Sequence, residues 1–256
     1  MIWNIDPVIT TLGPLTLGWY GLLFAGGFLV GVKVMQWIYR RDGRNPAELD
    51  TLLWYVLGGT LVGMRLVHCL FYDPEYFLAH PLEILMIWQG GYASHGGAIG
   101  LLLAVYLYCR GANRPAYLWL LDRLAIAAVL TGAFIRIGNF FNSEIIGTPT
   151  DSIFGVVFQR VDLLPRHPVQ LYEAAAYIAI FFAMLWLYRS KRATTDGALT
   201  GLYLTLVFSS RFGLEFFKTP QAAFEADNAI SVGQYLSVPF VIVGLILLVR
   251  SRQAAN

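Results

Sequence analysis

Leu118–Glu144 reads LWLLDRLAIAAVLTGAFIRIGNFFNSE. Leu118 to Ile135 is an apolar run of membrane-crossing character, and Arg136, Asn139, Asn142 and Glu144 then follow within nine residues. A charged side chain at the centre of a membrane helix costs about 2.5–3.5 kcal/mol even on the insertion scale, so such a group faces a cavity or a partner and marks a candidate site. The run predicts a membrane helix, and its polar end predicts where function lies.

Working outward, six further runs are long and apolar enough to be read the same way. All seven lie near residues 17–38, 49–71, 92–110, 118–141, 171–189, 198–217 and 232–250, against about 20 residues needed to cross the hydrocarbon core. The composition agrees: 57% of the 256 residues are hydrophobic and 13% charged, where soluble domains carry about 25% charged residues. The first 16 residues lack the basic stretch of a cleaved leader, so the first span is expected to remain. The expected fold is an all-α polytopic membrane protein, residues 1–256 forming one membrane domain of seven transmembrane helices. Residues 142–170, with a short strand or hairpin within Ile153 to Val161, form a small extracytoplasmic cap between spans four and five.

The basic residues orient it. Ten of the eighteen Lys and Arg residues follow spans one, three, five and seven: Arg40, Arg41, Arg44, Arg110, Arg114, Arg189, Lys191, Arg192, Arg250 and Arg252. The other side carries Arg160, Arg166 and Lys218. The positive-inside rule puts the ten in the cytoplasm, the N-terminus outside and the C-terminus inside. Arg65, Arg136 and Arg211 then fall in the outer halves of spans two, four and six, where that rule does not explain them. A net charge of +2 argues against a nucleic-acid partner. Cys69 and Cys109 lie singly in apolar runs and read as small buried hydrophobes.

This topology gathers polar residues at one level. Tyr20 opens span one, and His95 opens span three within Gly90-Gly91-Tyr92-Ala93-Ser94-His95-Gly96-Gly97. Arg136, Asn139, Asn142 and Glu144 close span four; His167, Gln170, Tyr172 and Glu173 open span five; Arg211 and Glu215 end span six, and Gln234 opens span seven. Each has a plainer reading. Arg211 and Glu215, four apart, can neutralise one another, although this order is the weaker one. Asparagines serve as polar glue between helices, Tyr20 beside Trp19 suits the interfacial belt, and the glycines near His95 admit either a ligand or another helix. Two arginines on one cavity suit a phosphate-like anion, and a histidine can exchange a proton near neutrality. No Ser-His-Asp pattern, nucleophile elbow or metal-ligand cluster is evident, and no cofactor or metal is expected. The residues alone leave open a lipid-headgroup enzyme, a transporter or flippase for an anionic solute or lipid, and a scaffold whose polar groups only join helices.

The segment Arg136-Ile137-Gly138-Asn139-Phe140-Phe141-Asn142-Ser143-Glu144 resembles the signature of the bacterial prolipoprotein diacylglyceryl transferase family. The resemblance extends to Tyr20-Gly21-Leu22, His95-Gly96-Gly97, His167-Pro168-Val169-Gln170-Leu171-Tyr172-Glu173-Ala174, Arg211-Phe212, Glu215-Phe216-Phe217 and Ser231-Val232-Gly233-Gln234. It departs at Ile135, where the family usually has glycine, and at Val207, where it often has tyrosine. The resemblance implies transfer of the diacylglyceryl group of phosphatidylglycerol to the lipobox cysteine of a prolipoprotein signal peptide, with loss of glycerol-1-phosphate. It implies a bacterial inner-membrane protein, expected to act as a monomer with its site facing the outer leaflet. The catalytic residues it implies are His95, Arg136 and Arg211. Those implied to hold substrate are Tyr20, Gly138, Asn139, Asn142, Glu144 and Glu215.

Overall fold

The computed structural model describes residues 1–13, 15–192, 195–220 and 230–255. Each of the seven apolar runs forms a helix: α1 (Trp19–Arg41), α2 (Glu48–Val67), α4 (Ser94–Cys109), α5 (Tyr117–Phe141), α6 (Val169–Arg189), α7 (Ala198–Leu214) and α8 (Val232–Ala255), with a short α3 (Pro74–Ala79) after α2. Among the described residues five helices are long and apolar enough to cross a membrane: Trp19–Arg41, Glu48–Tyr72, Tyr117–Phe141, Val169–Arg189 and Val232–Ala254. The second includes a π-helical turn, His68–Tyr72, that prolongs α2. At 16 and 17 residues, α4 and α7 are shorter, although a 3₁₀ turn, Glu215–Phe217, continues α7. Among the described residues short strands accompany the helices: β1 (Ile2–Trp3), β2 (Val8–Leu12), β3 (Leu15–Gly18), β4 (Val156–Phe158) and β5 (Pro165–Arg166).

The chain divides into two compact units, Met1–Met35 with Asp122–Asn256, and Gln36–Leu121. In the second unit α2 and α4 pack backbone to backbone. A Cβ on Gly63 would collide with the Gly96 carbonyl oxygen, and one on Gly100 with that of Gly59. Small residues of this kind let membrane helices approach closely. Beyond α2, the buried Arg65 gathers the following segment. Its guanidinium donates to the carbonyl oxygens of Ile84 at 3.0 Å, Gly90 at 2.5 Å and Glu83 at 2.5 Å, and it lies 5.0 Å from the Phe77 ring centroid. Arg65 is therefore occupied in holding backbone.

In the first unit α1 meets α5 where Gly27 faces Phe134 and Gly31 faces Thr131. The buried carboxylate of Asp122, on α5, caps α7 from outside: it accepts from Gly197 N at 2.9 Å, Thr200 N at 2.7 Å and Thr200 Oγ1 at 2.6 Å. Those N–H groups have no partner within their own helix, so a carboxylate there meets a need every helix start has. At the other end of α5, β1 pairs parallel with β4 and β4 antiparallel with β5. Phe140, Val156 and Phe158 form a small core there with Trp3, Phe141 and Ile146. The strand expected within Ile153 to Val161 is β4, in a hairpin with β5; its pairing with the N-terminal β1 had no counterpart in the sequence reading.

Candidate functional site

The α5 helix ends at Phe141, and Glu144 N returns to the Asn139 carbonyl at 2.9 Å. Ser143 (φ 56°) and Ile145 (φ 54°) then take left-handed backbone. For a β-branched residue such as Ile145 this conformation is a true outlier, and such strain persists only where surroundings impose it. The turn brings the signature side chains together. The amides of Asn139 and Asn142 both donate to the Glu144 carboxylate, each at 3.0 Å. Arg136 Nη1 lies 3.4 Å from Asn139 Oδ1. Each asparagine amide thus gives one hydrogen bond to Glu144, and the triad braces Arg136. Gln170, fully buried, donates to the Glu144 backbone carbonyl at 2.6 Å.

Charged groups from three elements extend this network. Arg136 Nε lies 3.1 Å from Oε2 of Glu173 on α6, and Lys218 Nζ lies 3.0 Å from its Oε1. Lys218 also pairs with Glu215 at 2.9 Å. The Glu215 carboxylate rests against Gly233 in the first turn of α8, where any Cβ would meet it within 3.0 Å and where the helix dipole favours negative charge. The i,i+4 pairing of Arg211 with Glu215 is replaced by Lys218–Glu215, three residues apart on the 3₁₀ turn. Gly138 admits the ring of Tyr20: a Cβ there would lie 3.0 Å from Tyr20 Cδ2.

Arg136 and Arg211 line one cavity of about 200 Å³, walled by Gly132, Ile135, Tyr177, Tyr203, Val207 and Phe208 among others. Arg211 lies within electrostatic reach of Tyr177, Glu173 and Glu215. Both departures from the family pattern, Ile135 and Val207, are in this wall. His95 belongs to the other compact unit, where it is the second residue of α4 and its side chain is exposed. The adjacent glycines serve α2: Cβ atoms on Gly96 and Gly97 would strike Val67 and Met64.

Sequence reasoning gave Glu173 no role and passed over Tyr177 and Tyr203. A signal for the first two exists: Gln170, Glu173 and Tyr177 stand at i, i+3 and i+7, which places them on one helix face, and all three are buried.

Apolar helices of membrane-crossing length, with two arginines lining one cavity, define a helical membrane protein. The family model described as prolipoprotein diacylglyceryl transferase matches residues 7–250, and the chain belongs to that family. A phosphatidylglycerol–prolipoprotein diacylglyceryl transferase of Tolumonas auensis is 59% identical over 251 residues, covering 98% of this chain and 97% of that one. Proteins of the same name from Chloroherpeton thalassium and Porphyromonas gingivalis are 48% and 41% identical; the alignments cover 100% and 97% of this chain, and 96% and 94% of theirs.

Proposed function

We propose that this protein transfers the diacylglyceryl group of phosphatidylglycerol to the lipobox cysteine of a prolipoprotein. The observation that carries the reading is that Arg136 and Arg211, from α5 and α7, line one cavity in a chain so similar along its length to transferases of that name. A carbon–sulfur bond forms at the glyceryl carbon, its bond to the phosphate oxygen breaks, and glycerol-1-phosphate leaves. The phosphodiester carries one negative charge and the departing monoester approaches two. Preorganised guanidinium groups favour the state in which that charge has grown, and this differential lowers the barrier.

In this reading Arg136 and Arg211 hold the phosphate, and His95 accepts the thiol proton. Asn139, Asn142 and Glu144 fix Arg136, Tyr20 and Gly138 shape the approach to it, and Glu215 steadies Lys218. The chain is one domain of seven spans in the bacterial inner membrane, with N-terminus outside, C-terminus inside and residues 142–170 as an outer cap. Seven helical apolar runs and the uneven placement of basic residues support that arrangement. It works as a monomer, since one chain supplies both arginines of the cavity.

The test is to incubate purified protein with phosphatidylglycerol and a lipobox peptide, then measure the peptide's mass and the glycerol phosphate released. The peptide is expected to gain one diacylglyceryl group. Arg136→Ala and Arg211→Ala should each insert normally and lose at least about 10²-fold in rate, the scale set by removing one preorganised donor. Wild-type rates in either variant would remove the arginines from the mechanism. For His95, the pH–rate profile of His95→Gln decides: a profile matching wild type excludes the proton-acceptor role.

A further inference from the structure

Glu173 is fully buried, and each of its carboxylate oxygens faces a different cation, Arg136 Nε at 3.1 Å and Lys218 Nζ at 3.0 Å. Lys218 is shared with Glu215 at 2.9 Å. Arg211 lies close enough to Glu173 and Glu215 to feel both carboxylates, and Glu144 joins through Asn139. Among the described residues this network therefore sets Arg136, Arg211 and Lys218 against Glu144, Glu173 and Glu215, an even balance of charge.

A cavity meant only to bind an anion tightly would leave its arginines unopposed. Here a carboxylate with no solvent exposure is placed directly on one of them. Removing two charges from water is expensive, and a buried pair regains that cost only with good geometry, so its presence calls for a reason beyond stability. The reaction proposed above supplies one, and the inference rests on that reading. Its product carries more negative charge than its substrate, and unopposed cations would hold the product longer.

We propose that Glu173 is a positioning residue with two effects. With its carboxylate at Nε, and Asn139 at Nη1, it fixes the Arg136 guanidinium in the cavity wall. By offsetting one positive charge it limits affinity for the phosphate monoester, so that product leaves.

The two roles predict opposite signs, which makes the proposal testable. Glycerol-1-phosphate binding is measured by calorimetry on the purified, full-length wild type, Glu173→Gln, Lys218→Met and the double variant; KM and kcat for phosphatidylglycerol are measured in parallel. Glu173→Gln keeps the size of the side chain and a polar oxygen beside Arg136, and removes the charge. Its dissociation constant for glycerol-1-phosphate should fall about tenfold or more, the scale of one unit charge acting over several ångströms in a partly screened interior. KM and kcat should fall together, the pattern of tighter binding with slower release. Lys218→Met should bind the product more weakly, and the double variant should return toward wild type. Unchanged or weaker binding by Glu173→Gln would overturn the proposal, because a purely structural role would loosen Arg136 and weaken binding. If Glu173→Gln fails to insert, the double variant decides, since it removes the unmatched buried charge: weaker binding than in Lys218→Met overturns the idea, and recovery supports it. Absence of transfer by the wild type would instead count against the transferase reading, which the calorimetry does not require.

Discussion

Arg65 shows how a buried charge settles with no acid paired to it among the described residues. Its guanidinium donates to three backbone carbonyls of the 83–90 stretch. Arg65→Ala leaves those acceptors without their donor, at about 1–3 kcal/mol for each that stays buried. The expected result is faster proteolytic cleavage within residues 81–90, with Arg65→Lys intermediate because an ammonium cannot span all three carbonyls. Cleavage at the wild-type rate in Arg65→Ala would mean that other contacts hold the segment. The sequence marked Arg65 as unexplained by the charge rule, but its partners are backbone atoms and leave no trace in the side-chain pattern. The pairing of Glu173 with Lys218 was hidden for a related reason, since it joins residues far apart in the chain. For Glu215 the sequence offered Arg211 as a neutralising partner only as the plainer reading; its ion pair is with Lys218. At Leu214 the α-helix gives way to a 3₁₀ turn, where residues three apart eclipse one another, and this favours Lys218 over Arg211.

Among the elements, the long helices were the most legible, because about 20 consecutive apolar residues leave few alternatives. Their starts were less so: α1 begins at Trp19 because Leu15–Gly18 is drawn into β3. The start of α7 depends on Asp122, and Asp122→Ala should remove about 2–3 kcal/mol by stranding donors that served a charged acceptor. Thermal unfolding in detergent would register this as a lower midpoint, while an unchanged midpoint would place the cap's role elsewhere. The β4–β5 hairpin owed its partial legibility to β-branched residues, whereas β1, two residues long, gave no local signal. Arg166 holds the hairpin by donating to the Asp162 carboxylate, with Nη2 at 2.5 Å from Oδ2 and Nε at 3.0 Å. That hydrogen bonding lowers the Asp162 carboxyl below its ordinary value of 3.8. A depressed folded-state pKa contributes stability above the unfolded value and loses it as pH falls through the folded one. Hydrogen-exchange protection of Val156–Phe158 should therefore hold from neutrality down to mild acid and decline below about pH 4. Asp162→Asn should lack that decline; the same acid-dependent loss in this variant would assign it to another group.

At the scale of the whole molecule, the proposed orientation is open to chemical labelling. With Cys69 and Cys109 replaced by alanine, a membrane-impermeant maleimide on intact cells should label Ser152→Cys and should reach Ala112→Cys only after permeabilisation. The reverse pattern would invert the topology. The sequence led to the family through motifs scattered from Tyr20 to Gln234. It did not show that the segments after α5 and α7 are joined to each other: Thr148 N donates to Phe217 O at 2.8 Å, Thr219 N to Ile146 O at 3.2 Å, and Arg166 Nη1 reaches both Gly147 O at 3.1 Å and Thr219 Oγ1 at 3.3 Å. This junction bears on how the protein can evolve. Loops normally change length freely and independently. Here one deletion or insertion near residue 147 shifts the register of Lys218 as well, so the two loops should accept length changes only as a matched pair, inherited together.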